Sequence, residues 1–144
     1  MILSIQLLDS KLEMPRYALP GCSGFDLCSA LHEDTLLQPQ RQILVPTGIK
    51  MEIPEGYEGQ IRPRSGLALR HGITVLNSPG TVDASYRGEI QVLLMHFGTE
   101  PVTLSFGMRI AQMVIAPVVF CTLTPVMSLA PSQRQEKGWG STGI

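Results

Sequence analysis

Two stretches of this sequence gather groups that bind phosphate oxygens or activate water. In Gln60–Leu69, QIRPRSGLAL, Arg62 and Arg64 alternate, so on an extended strand both point to one face. Ser65 and Gly66 follow and turn the chain. Two guanidiniums, a hydroxyl and exposed N–H groups at one point suit a polyphosphate; the plainer alternative is a solvated edge strand with a helix cap. In Asn77–Gln91, NSPGTVDASYRGEIQ, Pro79-Gly80 and Arg87-Gly88 punctuate what reads as a β-hairpin, with Asp83 and Tyr86 near its tip or inner face. A carboxylate in a pocket orients and deprotonates a water. A tyrosine ring stacks on a sugar and shuts out extra substituents. The same pair also fits an Asp-initiated turn with a packing Tyr.

Three further places carry weaker signals. Asp26 stands between Phe25 and Leu27 in GCSGFDLCSA, where an acid is costly unless paired or hydrogen-bonded. It is either an outer-shell carboxylate of a metal or phosphate site, or an Asp satisfied by a neighbouring turn. Arg109 and Gln112 are the only long polar groups entering the apolar stretch GMRIAQMVIA. From Ser128 the chain runs SLAPSQRQEKGWGSTGI, too poor in apolar side chains for a core of its own. Its Gly-Ser-Thr run suits phosphate contact through N–H groups and hydroxyls. This stretch is a frayed terminus or a tail that orders on a ligand. His32, His71 and His96 lie far apart with no HExxH or HxH pairing and read as surface or satisfied core residues. Cys22, Cys28 and Cys121 are an odd set without CxxC spacing, which points to free thiols in a reducing compartment.

The elements that must position these residues are strands. Ile2–Leu8, Gln42–Ile53, Tyr57–Arg62, Gly72–Leu76 and Glu89–Phe97 are β-compatible, as is the run Ile110–Val126, interrupted at Pro117. No segment holds helical periodicity over three turns, although Leu67–His71 suits a brief helical turn. Strands at this spacing predict an antiparallel sandwich or barrel. The chain has 144 residues, 44% of them hydrophobic, which is one domain with a real core. Its 11 basic and 12 acidic residues leave a net charge of −1, which excludes a globally basic nucleic-acid binder. Any anion must be held by a local cationic cluster or a metal. Asp9 and Glu13 follow the first apolar run, which has no basic flank, so no signal peptide is read there. No apolar run approaches 18 residues, so neither a membrane span nor a membrane partner is expected.

Taken in order, SGFDLCSA, RPRSGLA, NSPGTVDASYRGEI, RIAQMV and KGWGSTG resemble the five motifs of the trimeric deoxyuridine triphosphate nucleotidohydrolases (dUTPases), from about residue 15 to the end. The resemblance implies an all-β jelly-roll, barrel or sandwich, spanning 1–126. It implies a flexible tail, 127–144, that closes over a neighbouring subunit's active site in a homotrimer. The implied reaction is hydrolysis of dUTP to dUMP and diphosphate with Mg²⁺ on the triphosphate, limiting uracil in DNA and supplying dUMP for dTMP synthesis. The location it suggests is cytoplasmic, or nuclear for a viral or eukaryotic source, with no nucleic-acid partner. By the same resemblance Asp83 is the general base and Tyr86 the ring on deoxyribose. Asn77, Gly80, Thr81, Val82 and Gln91 surround uracil. Arg64, Ser65, Gly66 and Gln112 hold phosphates, and Asp26 lies near the metal's water shell. Arg134, Ser141 and Thr142 reach the phosphates from the tail, with Trp139 as the lid over uracil.

The chain departs from that pattern in places. Gln135 and Lys137 stand where the family tail carries glycines, and the lid is Trp139 rather than Phe or His. Ser85 replaces a second acid often found in the third motif. If the replaced glycines adopt positive φ, each substitution costs about 1 kcal/mol. Two competing readings are a dCTP deaminase, an enzyme of related fold, and a non-enzymatic relative that keeps the fold for binding. Asp83 with Tyr86 in TVDASYRG, and the Gly-Ser-Thr tail, favour the hydrolase over the first. Asp83, Ser65 and Tyr86 favour it over the second, whose one support is the altered tail.

Overall fold

The computed structural model describes residues 1–136 and Gly138. Its strands are β1 Ser4–Leu7, β2 Phe25–Cys28, β3 Thr35–Leu37, β4 Gln42–Pro46, β5 Ile49–Glu52 and β6 Tyr57–Arg62, followed by β7 Ile73–Val75, β8 Gly80–Val82, β9 Gln91–His96, β10 Val102–Leu104 and β11 Arg109–Pro117. One short helix, α1, covers Ser65–His71. All pairings are antiparallel. A four-stranded sheet runs β2-β11-β6-β8 and a three-stranded sheet β4-β9-β7, with β1-β5 and β10-β3 as two-stranded ribbons. The fold is all-β, as expected.

Side-chain alternation places the core. In β2, Phe25 and Leu27 are buried while Asp26 and Cys28 keep partial exposure. Ile61, Val82, Ala111 and Met113 of the same sheet join one buried cluster with Val45, Ile73, Val75, Val92 and Leu94 of the other. Each strand thus gives one face to the core and leaves the other for chemistry. No helix among the described residues is long and apolar enough to cross a membrane.

Tyr57–Arg62 is the strand expected. Gln42–Ile53 divides in two because the turn at Gly48 needs φ +65°, and a Cβ there would lie 2.2 Å from Leu12 Cδ1. The run Ile110–Val126 is strand only to Pro117. There β11 meets Tyr57, the first residue of β6, and its partner ends. One further bond, from Val118 N–H to the Gly56 carbonyl, closes the ladder. The helical turn begins at Ser65 and ends on Gly72 at φ 66°, whose N–H caps the carbonyls of Ala68 and Leu67.

The hairpin read in Asn77–Gln91 is not formed. Gly80–Val82 pairs with Gly59–Ile61 of β6, whereas β9 pairs with β4 and β7 in the other sheet. The Pro-Gly and Arg-Gly signals mark the entry to one strand and the approach to another. Buried Gly80 and Val82 turn one face of β8 to the core, and residues 83–90 cross from this sheet to the other.

Candidate active site

The phosphate candidates converge where β2, β11 and β6 lie side by side. Gln112 is opposite Asp26 on one side and Arg62 on the other. Arg64 leaves β6 after Pro63 and crosses to β2, its Nε 2.9 Å from Asp26 Oδ1. Its NH1 donates to the Arg109 carbonyl at 3.1 Å. Arg109 NH1 meets the other oxygen of Asp26 at 3.2 Å. Gln112 Nε2 donates to the Pro63 carbonyl at 2.9 Å, fixing the bend just before Arg64. Gly24 is needed beside it, because a Cβ there would lie 2.9 Å from Gln112 Oε1.

Arg62 and Arg64 do not act as the pair their alternation suggested. Arg62 turns back along β6 to Gln60 Oε1, while Arg64 crosses to Asp26. The acid at Asp26 is satisfied by two guanidiniums from other motifs and not by a neighbouring turn. Arg109 is the partner that sequence reasoning singled out without giving it a role; only the strand register reveals it. Ser65 is exposed at the start of α1, and no side chain caps that first turn. Gly66 packs under Arg70, with a Cβ position 3.0 Å from its NH2.

The nucleoside candidates lie beyond β6. Gly80 is buried opposite Ile61, and a Cβ on it would approach Asn77 Nδ2 and Ile61 Cβ to 3.3 Å. Asn77 thus folds over Gly80. Val82 is buried, while Thr81 and Asp83 face out. The Asp83 carbonyl accepts the Tyr86 N–H at 3.0 Å, and the Tyr86 hydroxyl donates to the Glu89 carbonyl at 2.9 Å. Gln91 is exposed and opens β9 opposite Pro46, in the other sheet from Gly80–Val82.

Arg134 belongs to the arm that follows β11, where its NH2 donates to the Gly138 carbonyl at 3.3 Å. Trp139, Ser141, Thr142 and Lys137 lie outside the described residues. Arg134 is therefore not brought to Asp26 or Asp83 within this chain's described geometry. Asp83 and Tyr86 are exposed as well.

The remaining groups behave as their spacing suggested. The three cysteines are free thiols. Burial pushes the Cys28 thiol pKa up and the neighbouring Asp26 carboxylate adds to it, against the pull of Arg109 and Arg64. His96 is fully buried and satisfied: its Nδ1 accepts the Gly98 N–H at 2.9 Å and its Nε2 lies 2.8 Å from the Glu100 carbonyl. No group of three or more His, Cys, Asp or Glu among the described residues forms a metal cage. A cavity of about 720 Å³ is lined by Lys11–Ala18 and shares Asp26 and Arg109 with the cluster of phosphate candidates.

Known proteins provide the context for this arrangement. The dUTPase family model matches residues 10–143. The chain is similar to the deoxyuridine 5'-triphosphate nucleotidohydrolase of Chlamydia pneumoniae, 55% identical over 137 residues covering 94% of each chain. It is also similar to the enzyme of that name from Ehrlichia canis (strain Jake), 50% identical over 142 residues, 97% of this chain and 93% of the other. Among solved structures, Staphylococcus bacteriophage 80alpha dUTPase with dUpNHpp superposes with a TM-score of 0.89 at 27% identity, covering 99% of both chains. With a family model matching nearly the whole length and relatives at half identity or better, the chain belongs to the dUTPase family.

Proposed function

We propose that the protein hydrolyses dUTP to dUMP and diphosphate, which limits uracil incorporation into DNA and supplies dUMP for dTMP synthesis. The observation that carries the reading is the joint Arg64–Asp26–Arg109, with Gln112 beside it. It fixes a cation beside β2, one edge of the β2-β11-β6-β8 sheet, while the exposed Asp83 follows β8 at the other edge. Hydrolysis of a phosphoanhydride needs an in-line water, charge neutralisation and positioning more than covalent chemistry.

In this reading Asp83 accepts the proton of the attacking water. Arg64, Ser65, Gly66 and Gln112 bind the phosphate chain from the sheet, and Arg134, Ser141 and Thr142 bind it from the tail. Gly80, Thr81 and Val82 offer backbone groups to uracil, with Asn77 and Gln91 alongside and Trp139 above. Cytosine inverts part of uracil's donor and acceptor pattern, leaving groups unpaired at about 1–3 kcal/mol each. Thymine's methyl is refused by the close backbone approach at Gly80, and a ribose 2′-OH by the Tyr86 ring.

The donor set fits Mg²⁺ held mainly by the substrate's phosphates and water, as that ion prefers. Asp26 spends one hydrogen bond per oxygen on Arg64 and Arg109. A carboxylate oxygen has a second lone pair, so Asp26 can still accept from a metal-bound water. Bound there, Mg²⁺ supplies neutralisation of the triphosphate charge.

The protein works as a homotrimer in this reading. On one chain Asp83 and Tyr86 lie open to solvent, and the arm exposes Val119, Phe120, Leu123, Met127 and Leu129. Further copies give both sets a partner, with the tail, 127–144, closing over a neighbour's site. Light scattering checks this: a trimer mass is expected, and a monomer mass at working concentration overturns it. Incubation with Mg²⁺ and each nucleotide tests the activity. Diphosphate released from dUTP is the expected result. Ammonia from dCTP supports the deaminase instead, and neither product leaves a binding-only relative.

A further inference from the structure

We infer that Glu89, with Gly88 before it, is a positioning residue that sets the Tyr86 ring against the sugar and so governs deoxyribose-over-ribose choice without touching the nucleotide. The inference rests on the reading of Tyr86 as the sugar-facing ring.

Tyr86 is held at both ends inside its own loop. Its N–H donates to the Asp83 carbonyl at 3.0 Å and its hydroxyl to the Glu89 carbonyl at 2.9 Å. The ring's place therefore depends on where the Glu89 carbonyl sits. The Glu89 side chain fixes that position, since its Oε1 accepts the Gly48 N–H at 2.8 Å. Gly48 is a poor place for drift, being a buried left-handed turn packed on Leu12 and Ala30. On the other side Ile90 is 2% exposed. Its N–H donates to Ile49, and its carbonyl accepts both the N–H and the hydroxyl of Thr47. The Glu89 carbonyl is thus bolted between its own side chain and the β4–β5 turn. Gly88 completes the seat. A Cβ there would lie 2.3 Å from Tyr86 Oη and 2.5 Å from Cζ, so any side chain displaces the ring. Displacements of about 1 Å are enough to change rates up to 10²-fold.

The test compares kcat/KM for dUTP and UTP in four variants. Steric refusal of one hydroxyl is worth about 10²-fold, so Tyr86→Ala should lose discrimination of that order. Glu89→Ala should lose about tenfold, through a rise for UTP and a higher KM for dUTP with kcat nearly kept. Glu89→Gln should restore the ratio, because its amide oxygen still accepts the Gly48 N–H. Gly88→Ala should mimic Tyr86→Ala. A folded Glu89→Ala with an unchanged ratio, beside a relaxed Tyr86→Ala, overturns the inference and leaves the Tyr86 reading standing. An unchanged ratio in Tyr86→Ala overturns that reading and the inference with it. Where Glu89→Ala does not fold, Gly88→Ala decides: a relaxed ratio supports the seat and an unchanged one removes it.

Discussion

In the proposed site the sheet that carries Asp26, Arg64 and Gln112 and the arm that carries Arg134 would both bring donors to phosphate oxygens, but they are built on opposite terms. On the sheet Arg64 and Gln112 are braced by their own chain: Arg64 by a carboxylate and a carbonyl, Gln112 by the Pro63 carbonyl. In the arm the described residues after Val118 are exposed and form no regular element. Such a segment cannot offset an ordering cost of about 1–2 kcal/mol per residue from its own contacts. Positioning on the sheet is settled at folding, whereas in the proposed trimer positioning of the arm would wait for other copies and for substrate. The following experiments separate the two.

The largest effect belongs to the sheet side. Asp83→Asn keeps shape and loses the proton acceptor, so dUTP binding should persist while kcat falls about 10²–10⁴-fold. Calorimetry and steady-state kinetics check both halves. Turnover within tenfold of wild type would remove Asp83 as the base.

Removal of Arg134–Ile144 asks what the arm contributes. Among the described residues the core cluster contains nothing beyond Met113, with Ile115 the last residue packed against it, so circular dichroism and the oligomeric state should be unchanged. Loss of the tail's charge and hydroxyls should cut kcat by about 10²–10³, the usual range for losing donors to developing charge. Full activity in the truncated protein would place all the chemistry on the sheet.

Asp26 probes the bracing itself. Its ion pair with Arg64 leaves the two side chains only 22% and 25% exposed, whereas Arg109 is 57% exposed. Exposed pairs are worth about 0–1 kcal/mol, so Arg109→Ala should change kcat/KM by no more than about fivefold. Asp26→Ala releases Arg64 from its aim and should cost about 10–10²-fold. Equal effects of the two substitutions would mean that Asp26 does not aim Arg64.

The same contrast explains what the sequence revealed. A strand with strict alternation, such as Tyr57–Arg62, was legible because one face must be buried. The helical turn read at Leu67–His71, behind Ser65-Gly66, was legible, though it starts two residues earlier, at Ser65. Pairing was not: β8 joins β6 and not β9, since turn residues mark where strands end and say nothing of which strand comes alongside. The Arg64–Asp26–Arg109 joint was hidden for that reason, because its residues lie far apart in sequence and meet only through strand order. Glu89 was hidden because its partner, Gly48 N–H, is a backbone group, which leaves no mark in residue types. In the arm, the departure at Gln135 was legible from the resemblance to the family's tail alone, and its positive φ is the conformation that a glycine would suit.

Gln135 therefore offers the smallest and most local test. It sits at φ 49°, in the left-handed region where a side chain costs about 1 kcal/mol over glycine. The conformation is held by a turn in which its N–H donates to Ser132 Oγ at 3.1 Å, next to the Arg134 contact with the Gly138 carbonyl. Gln135→Gly removes the strain from the turn. It also widens the choices of the open arm, an opposing entropy of about 0.4–1 kcal/mol. The two nearly cancel, so kcat should be equal to wild type or up to about fivefold higher, with the sheet untouched. Steady-state kinetics with dUTP and Mg²⁺ read the outcome directly. A kcat lowered tenfold would show that the Gln135 side chain itself makes a contact in the closed state, and that the arm of this chain has traded glycine freedom for an anchor.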